Sequence, residues 1–188
     1  VNSEDPNIQD YIARAYWAAD IIERDCPDGT IVDLGCYDGL TAIPILRRCP
    51  NVKYVGIDLN ETAAQRLRER FEAAGFGDRA EVLVNDRASA SEFLEVLVER
   101  NGGKFDIALW FEVIEHVAEV QPFLEALLAS VKPDSNVLIS TPWGSFDNGM
   151  PNEEATKGVA RDERGHVRAM TARNFRDEVE LAGGRVEE

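Results

Sequence analysis

Glu112, Glu115 and His116 stand within one short stretch, Phe105-Asp106-Ile107-Ala108-Leu109-Trp110-Phe111-Glu112-Val113-Ile114-Glu115-His116-Val117, directly after an apolar run. If the chain turns helically after that run, positions i, i+3 and i+4 share one face and three proton acceptors meet at the end of a strand. Such a group can serve as a general base toward a hydroxyl. Its mixed carboxylate and imidazole donors also suit a hard ion such as Mg²⁺ or Mn²⁺, which leaves positions for water and substrate oxygen. The plain alternative is a backbone-bonding glutamate, a solvated helix carboxylate and a packing histidine, because acids in a first turn are favoured by the helix dipole alone. The chain has two histidines, and the other, His166, lies in Arg164-Gly165-His166-Val167-Arg168-Ala169-Met170-Thr171.

A second constellation lies upstream. Thr30-Ile31-Val32-Asp33-Leu34-Gly35-Cys36-Tyr37-Asp38-Gly39 is an apolar run that reaches an acid and breaks into a glycine turn. The next run, Tyr54-Val55-Gly56-Ile57-Asp58, also stops on an acid. Strand, glycine turn, helix, strand, acid is the plan by which an open parallel sheet holds an adenosine-containing ligand, the acid accepting the ribose hydroxyls. Glycines at 35 and 39 allow the sharp reversal and a close approach to the backbone. The G-x-G-x-x-G cradle for a pyrophosphate is absent, which argues against a nicotinamide oxidoreductase.

The Asp33-x-Gly35-x-Tyr37-x-Gly39 turn resembles the first motif of the class I S-adenosylmethionine (SAM)-dependent methyltransferases, with Tyr37 where that family usually has a glycine. The resemblance implies that Asp33, Gly35, Cys36, Tyr37 and Gly39 surround the methionine part of SAM. It likewise places the ribose at Asp58 with Leu59 beside it. Ala80-Glu81-Val82-Leu83-Val84-Asn85-Asp86 resembles the strand whose terminal acid binds the adenine amino group, implying contacts from Asp86 and Arg87. The run ending at Phe111 resembles the fourth motif, implying that Phe111 also contacts the cofactor. Its Glu112-Val113-Ile114-Glu115-His116 segment is similar to ubiquinone-pathway O-methyltransferases and to small-RNA 3′-terminal ribose 2′-O-methyltransferases. That likeness implies a divalent ion held by Glu112, Glu115, His116 and, in the RNA case, His166.

These residues must be carried by alternating elements. Strands are expected at 30–34, 53–58, 80–84, 105–110 and 136–141, and helices at 39–48, 60–75, 90–101 and 120–131. Before them, Ile8, Tyr11, Ile12, Ala15, Tyr16, Ala19 and Ile22 recur at helical spacing and define a helix over 8–24. Alternation of this kind predicts a single α/β domain over 1–188, a doubly wound, mostly parallel sheet with helices on both faces. From 142 to 170 the periodicity is lost around Trp143, Phe146 and Met150, and the segment reads as a substrate lid. Gly183-Gly184-Arg185-Val186-Glu187-Glu188 looks like the start of a sixth strand, truncated.

Composition narrows the partners. At 188 residues the chain can bury one substantial core, and no run approaches the roughly 20 apolar residues of a membrane span. A formal net charge of −15 disfavours a nucleic-acid partner. Three cysteines without a C-x-x-C pair suit a reducing, cytoplasmic setting. The leading expectation is SAM-dependent O-methylation of a small molecule or glycan. The alternatives are a metal-dependent RNA ribose methyltransferase and a catalytically silent SAM-binding module. The oligomeric state is left open.

Overall fold

The apolar runs pair as parallel strands because each is buried on both faces and is followed by an amphipathic helix that must return the chain to the same edge. In a computed structural model, which describes residues 6–85, 90–117, 119–142 and 170–187, the order is α1 (Pro6–Asp25), β1 (Thr30–Leu34), α2 (Ala42–Arg48), β2 (Lys53–Asp58), α3 (Glu61–Ala74), β3 (Ala80–Val84), α4 (Ala90–Arg100) and β4 (Ile107–Phe111). A single 3₁₀ turn (Ile114–His116), α5 (Val120–Ser130), β5 (Val137–Ser140) and α6 (Ala172–Leu181) follow. The five strands run parallel in the order β3-β2-β1-β4-β5. The expected doubly wound α/β fold is therefore present, with element ends shifted by a few residues.

Side chains from the strands feed three clusters, one of which packs Tyr54 and Val82 against Leu46 of α2 and Ala64, Leu67 and Phe71 of α3. Val32, Leu34, Val55, Ile57, Ala108 and Trp110 pack against α4, α5 and α6. Ile31, Ile107, Leu109 and Phe111 face α1, whose Ala15, Ala18, Ala19 and Ile22 are fully buried. Small residues at this seam let the helix lie close to the sheet. Each fully buried isoleucine, leucine or valine side chain of these clusters contributes about 1.5–3 kcal/mol.

Local signals set the helix ends. Asn60 accepts a hydrogen bond from the Ala63 amide at 3.1 Å and caps α3, while Gly75 ends it in the left-handed conformation. At the end of α6, Gly183 takes φ +88 and the Gly184 amide bonds back to the Val179 carbonyl, within the stretch where a sixth strand is expected to begin. Among the described residues this stretch joins no sheet. The proposed lid lies, apart from its ends, outside the described residues, as do Trp143, Phe146 and Met150.

Candidate functional site

The sheet grows outward from β1 through β2 to β3, then crosses back to place β4 on the other side of β1. The loops after β1 and β4 diverge at this reversal and open the crevice where doubly wound sheets take ligands. On one side, the loop after β1 is stapled to the end of β2. The Gly35 and Cys36 amides both donate to the Ile57 carbonyl, at 2.8 and 3.1 Å, and the Tyr37 amide donates to Asp58 Oδ2 at 2.8 Å. Asp58 Oδ1 accepts from the Asn60 amide at 2.8 Å. Asp58 is thus oriented by two backbone donors, and each oxygen keeps a further lone pair for a ligand.

The glycines act differently from the expectation of close ligand approach alone. A Cβ on Gly35 would lie 2.3 Å from Val113 Cγ2, and one on Gly39 would lie 2.3 Å from Leu67 Cδ1, so protein side chains fill both spaces. Both glycines also have positive φ, +79 and +82. Tyr37, at the position the family usually gives to glycine, takes the left-handed φ of +44, with 55% of its surface exposed. Leu59, beside Asp58, is 77% exposed. Two open apolar side chains therefore flank an oriented carboxylate.

Asp33 and Cys36 lie behind this surface. Asp33 is buried and accepts a hydrogen bond from the Tyr54 hydroxyl; burial pushes its carboxyl up to about 7. It anchors β1 to β2 underneath the loop. Cys36 is buried against Gly56, and burial raises its thiol, which with Cys26 and Cys49 is free. Asp38 was not singled out from sequence. Its Oδ1 is buried with no hydrogen-bond partner among the described residues, while Oδ2 lies 3.5 Å from Arg70.

The fourth-motif residues do not converge as a helical face. Glu112 takes the left-handed φ of +57 before the turn, and the 3₁₀ turn spans Ile114–His116 only, so the i, i+3, i+4 geometry is lost. Glu112 is fixed at the strand end: its amide donates to the Ser140 carbonyl at 2.9 Å, and its Oε1 accepts from Ser140 Oγ at 2.8 Å and from Arg14 Nη2 at 3.0 Å. Glu115 is 2% exposed and accepts from Thr141 Oγ1 at 3.2 Å. Burial, reinforced by the Glu112 charge, pushes its carboxyl up to about 7. His116 has a side chain 42% exposed, its Nε2 4.0 Å from Glu115 Oε1. Phe111 is buried beneath α1, its ring 6.4 Å from that of Trp17 and 5.8 Å from the Arg14 guanidinium. Arg14, Ser140 and Thr141 carried no sequence signal, because each is brought to the site only by packing.

The donor sets decide which groups fit. The oriented Asp58 carboxylate, its exposed apolar flanks and the orphaned Asp38 oxygen suit the ribose, base and ammonium of a SAM molecule. The expected Mg²⁺ or Mn²⁺ donors Glu112, Glu115 and His116 are not gathered into an ion site among the described residues. Glu112 is already bound by a guanidinium, Glu115 is buried against Thr141, and His116 Nε2 lies 4.0 Å from Glu115 Oε1. Among the described residues no group of three or more His, Cys, Asp or Glu side chains is placed to hold an ion. His166, Asp86 and Arg87 lie outside the described residues. A separate apolar groove of about 430 Å³ runs between α1, α2 and α3, and of the expected site residues only Gly39 lines it.

Comparisons agree with this geometry. A family model described as a methyltransferase domain matches residues 8–188. A ubiquinone biosynthesis O-methyltransferase of Rickettsia akari (strain Hartford) is 33% identical over 112 residues, 59% of this chain and 39% of that protein. The chain thus spans about two fifths of the length of this curated relative. Among solved structures, an O-methyltransferase family protein from Burkholderia thailandensis superimposes with a TM-score of 0.64 at 19% identity, covering 95% of this chain and 53% of that one. A mitomycin 7-O-methyltransferase gives 0.64 at 18% identity, over 98% and 54%. At that identity the structural likeness shows the fold alone. No helix among the described residues is long and apolar enough to cross a membrane. With the family model covering residues 8–188, nearly the whole chain, the chain belongs to the class I SAM-dependent methyltransferases.

Proposed function

We propose that this domain transfers the methyl group of SAM to a hydroxyl oxygen of a small-molecule or glycan acceptor, with His116 as the proton acceptor. The observation that carries the reading is the pairing of a half-exposed imidazole with a buried carboxylate: His116 Nε2 lies 4.0 Å from Glu115 Oε1 at the crevice end of β4. A sulfonium methyl needs an in-line nucleophile held close, so alignment supplies much of the rate. As the acceptor oxygen bonds to the methyl carbon, the carbon–sulfur pair leaves with sulfur. The hydroxyl proton passes to His116, and Glu115 stabilises the imidazolium.

On the donor side, Asp58 accepts the ribose hydroxyls, Tyr37 and Leu59 cover the nucleoside, and Asp38 Oδ1 accepts from the methionine ammonium. Asp86 and Arg87 serve the adenine through the family likeness. The printed O-methyltransferase names of the relatives support oxygen as the nucleophile. A net charge of −15 supports a small or neutral acceptor over a polyanion.

The test is transfer of labelled methyl from SAM to a panel of phenolic and sugar hydroxyls. His116→Ala should lower kcat by about 10²–10⁴-fold while SAM affinity, measured by calorimetry, stays unchanged. SAM binding without transfer to any acceptor would favour a silent binding module. Absence of SAM binding would overturn the whole assignment.

A further inference from the structure

Tyr11, Arg14 and Trp17 recur every three residues on α1 and form the stripe that faces the end of β4. Arg14 is central to it. Its guanidinium lies 5.1 Å from the Tyr11 ring centre and 5.8 Å from that of Phe111, and its Nη2 is 3.0 Å from Glu112 Oε1. Both side chains of this pair are mostly buried, with 18% and 20% exposed. Ser140 Oγ donates to the same carboxylate oxygen at 2.8 Å.

We propose that the Arg14 guanidinium is the built-in cation of the acceptor site, standing against Glu112 where the Glu-x-x-Glu-His segment would otherwise need a divalent ion. The inference rests on the O-methyl-transfer reading for its functional meaning, though not for its test. Two glutamates close together at a strand end need a positive partner, and removing that partner leaves a buried charge uncompensated. A metal ion would have to displace a guanidinium clamped by two aromatic faces and a charge-assisted hydrogen bond. Arg14 is therefore a positioning residue. It neutralises Glu112, holds it against Ser140 and fixes α1 over the crevice.

The experiment reads ion binding directly by electron paramagnetic resonance, with Mn²⁺ added to an equal concentration of protein, and so does not depend on turnover. Wild-type protein should leave the free-ion signal undiminished. Arg14→Met should reduce it as the ion enters the vacated position, and Arg14→Met/Glu112→Gln should restore it. Arg14→Lys should behave as wild type, because the cation is kept. Should Arg14→Met fail to fold, Arg14→Gln makes the same comparison with the side-chain length retained. Uptake of Mn²⁺ by wild type that Glu112→Gln abolishes would overturn the proposal, as would absence of uptake by both wild type and the neutral variants. In the activity arm, a chelator should leave methyl transfer unchanged. If no acceptor is methylated, the failure belongs to the proposed function, and the resonance measurement still decides the role of Arg14.

Discussion

The Cγ2 methyl of Val113 sits 2.3 Å from the point where a Cβ on Gly35 would be, which locks the loop after β1 against the segment after β4. This contact joins the two halves of the crevice. The residues flanking Asp58 and those flanking Glu112 are consequently held as one unit.

Replacing Gly35 by alanine should therefore damage both halves. The left-handed φ of +79 costs an L-residue about 1–2 kcal/mol, and the clash with Val113 adds to it. Thermal denaturation should show Gly35→Ala destabilised, and adding Val113→Ala should recover part of the loss. An unchanged melting temperature in the single variant would refute the contact.

Tyr37 should respond in the opposite sense. Its φ of +44 is a conformation glycine adopts freely, so Tyr37→Gly should hold or gain stability, by up to about 1 kcal/mol. The same variant removes an exposed ring beside Asp58 and should weaken SAM binding. Calorimetry and melting curves on one preparation separate the two effects.

Asp58→Ala should largely remove the rise in melting temperature that SAM produces by binding only the folded state. Two effects combine: the ribose partner is lost, and the Tyr37 and Asn60 amides lose their shared acceptor. A loss of about 1.5–3 kcal/mol in binding is expected for a charge-assisted pair. An undiminished shift with the variant would exclude Asp58 from the cofactor site.

Asp33 gives a pH signature in stability. In the folded protein burial pushes its carboxyl up to about 7, against 3.8 ordinarily, so between these values the folded state holds a proton that the unfolded chain has released. Stability should fall as pH rises through that window and level off above it. Asp33→Asn keeps an acceptor for the Tyr54 hydroxyl and should flatten this slope in denaturant titrations at pH 5 and pH 8. A wild-type slope of the opposite sign over that range, shared by the variant, would show the carboxyl to be ordinary.

Arg79 is a purely structural counterpart. Its Nη1 donates to the Cys49 and Val52 carbonyls, both at 3.0 Å, its Nη2 to the Leu46 carbonyl, and its guanidinium covers the Phe76 ring at 4.8 Å. Arg79→Ala strands these carbonyls at the end of α2 and should cost about 2–3 kcal/mol in unfolding experiments, with SAM affinity per folded molecule unchanged.

The strand-turn-acid repeats Thr30–Gly39 and Tyr54–Asp58 determined the sheet, the side of it that binds and the cofactor class, because period, glycine position and terminal acids are local properties of the chain. Glu112, Glu115 and His116 were legible as a group for the same reason. Their geometry was not. A left-handed residue at 112 and a one-turn 3₁₀ segment replaced the helix that would have aligned them, and backbone choices of that kind depend on what packs alongside. The same holds for the partner of Glu112: Arg14 is 98 positions away in the chain and reaches it only because Ala15, Ala18 and Ala19 let α1 lie flat on the sheet. Sequence spacing can assemble donors along one element, but a salt bridge between a helix and a distant strand end is decided by packing, where burial sets both the distance and the charge each group can bear.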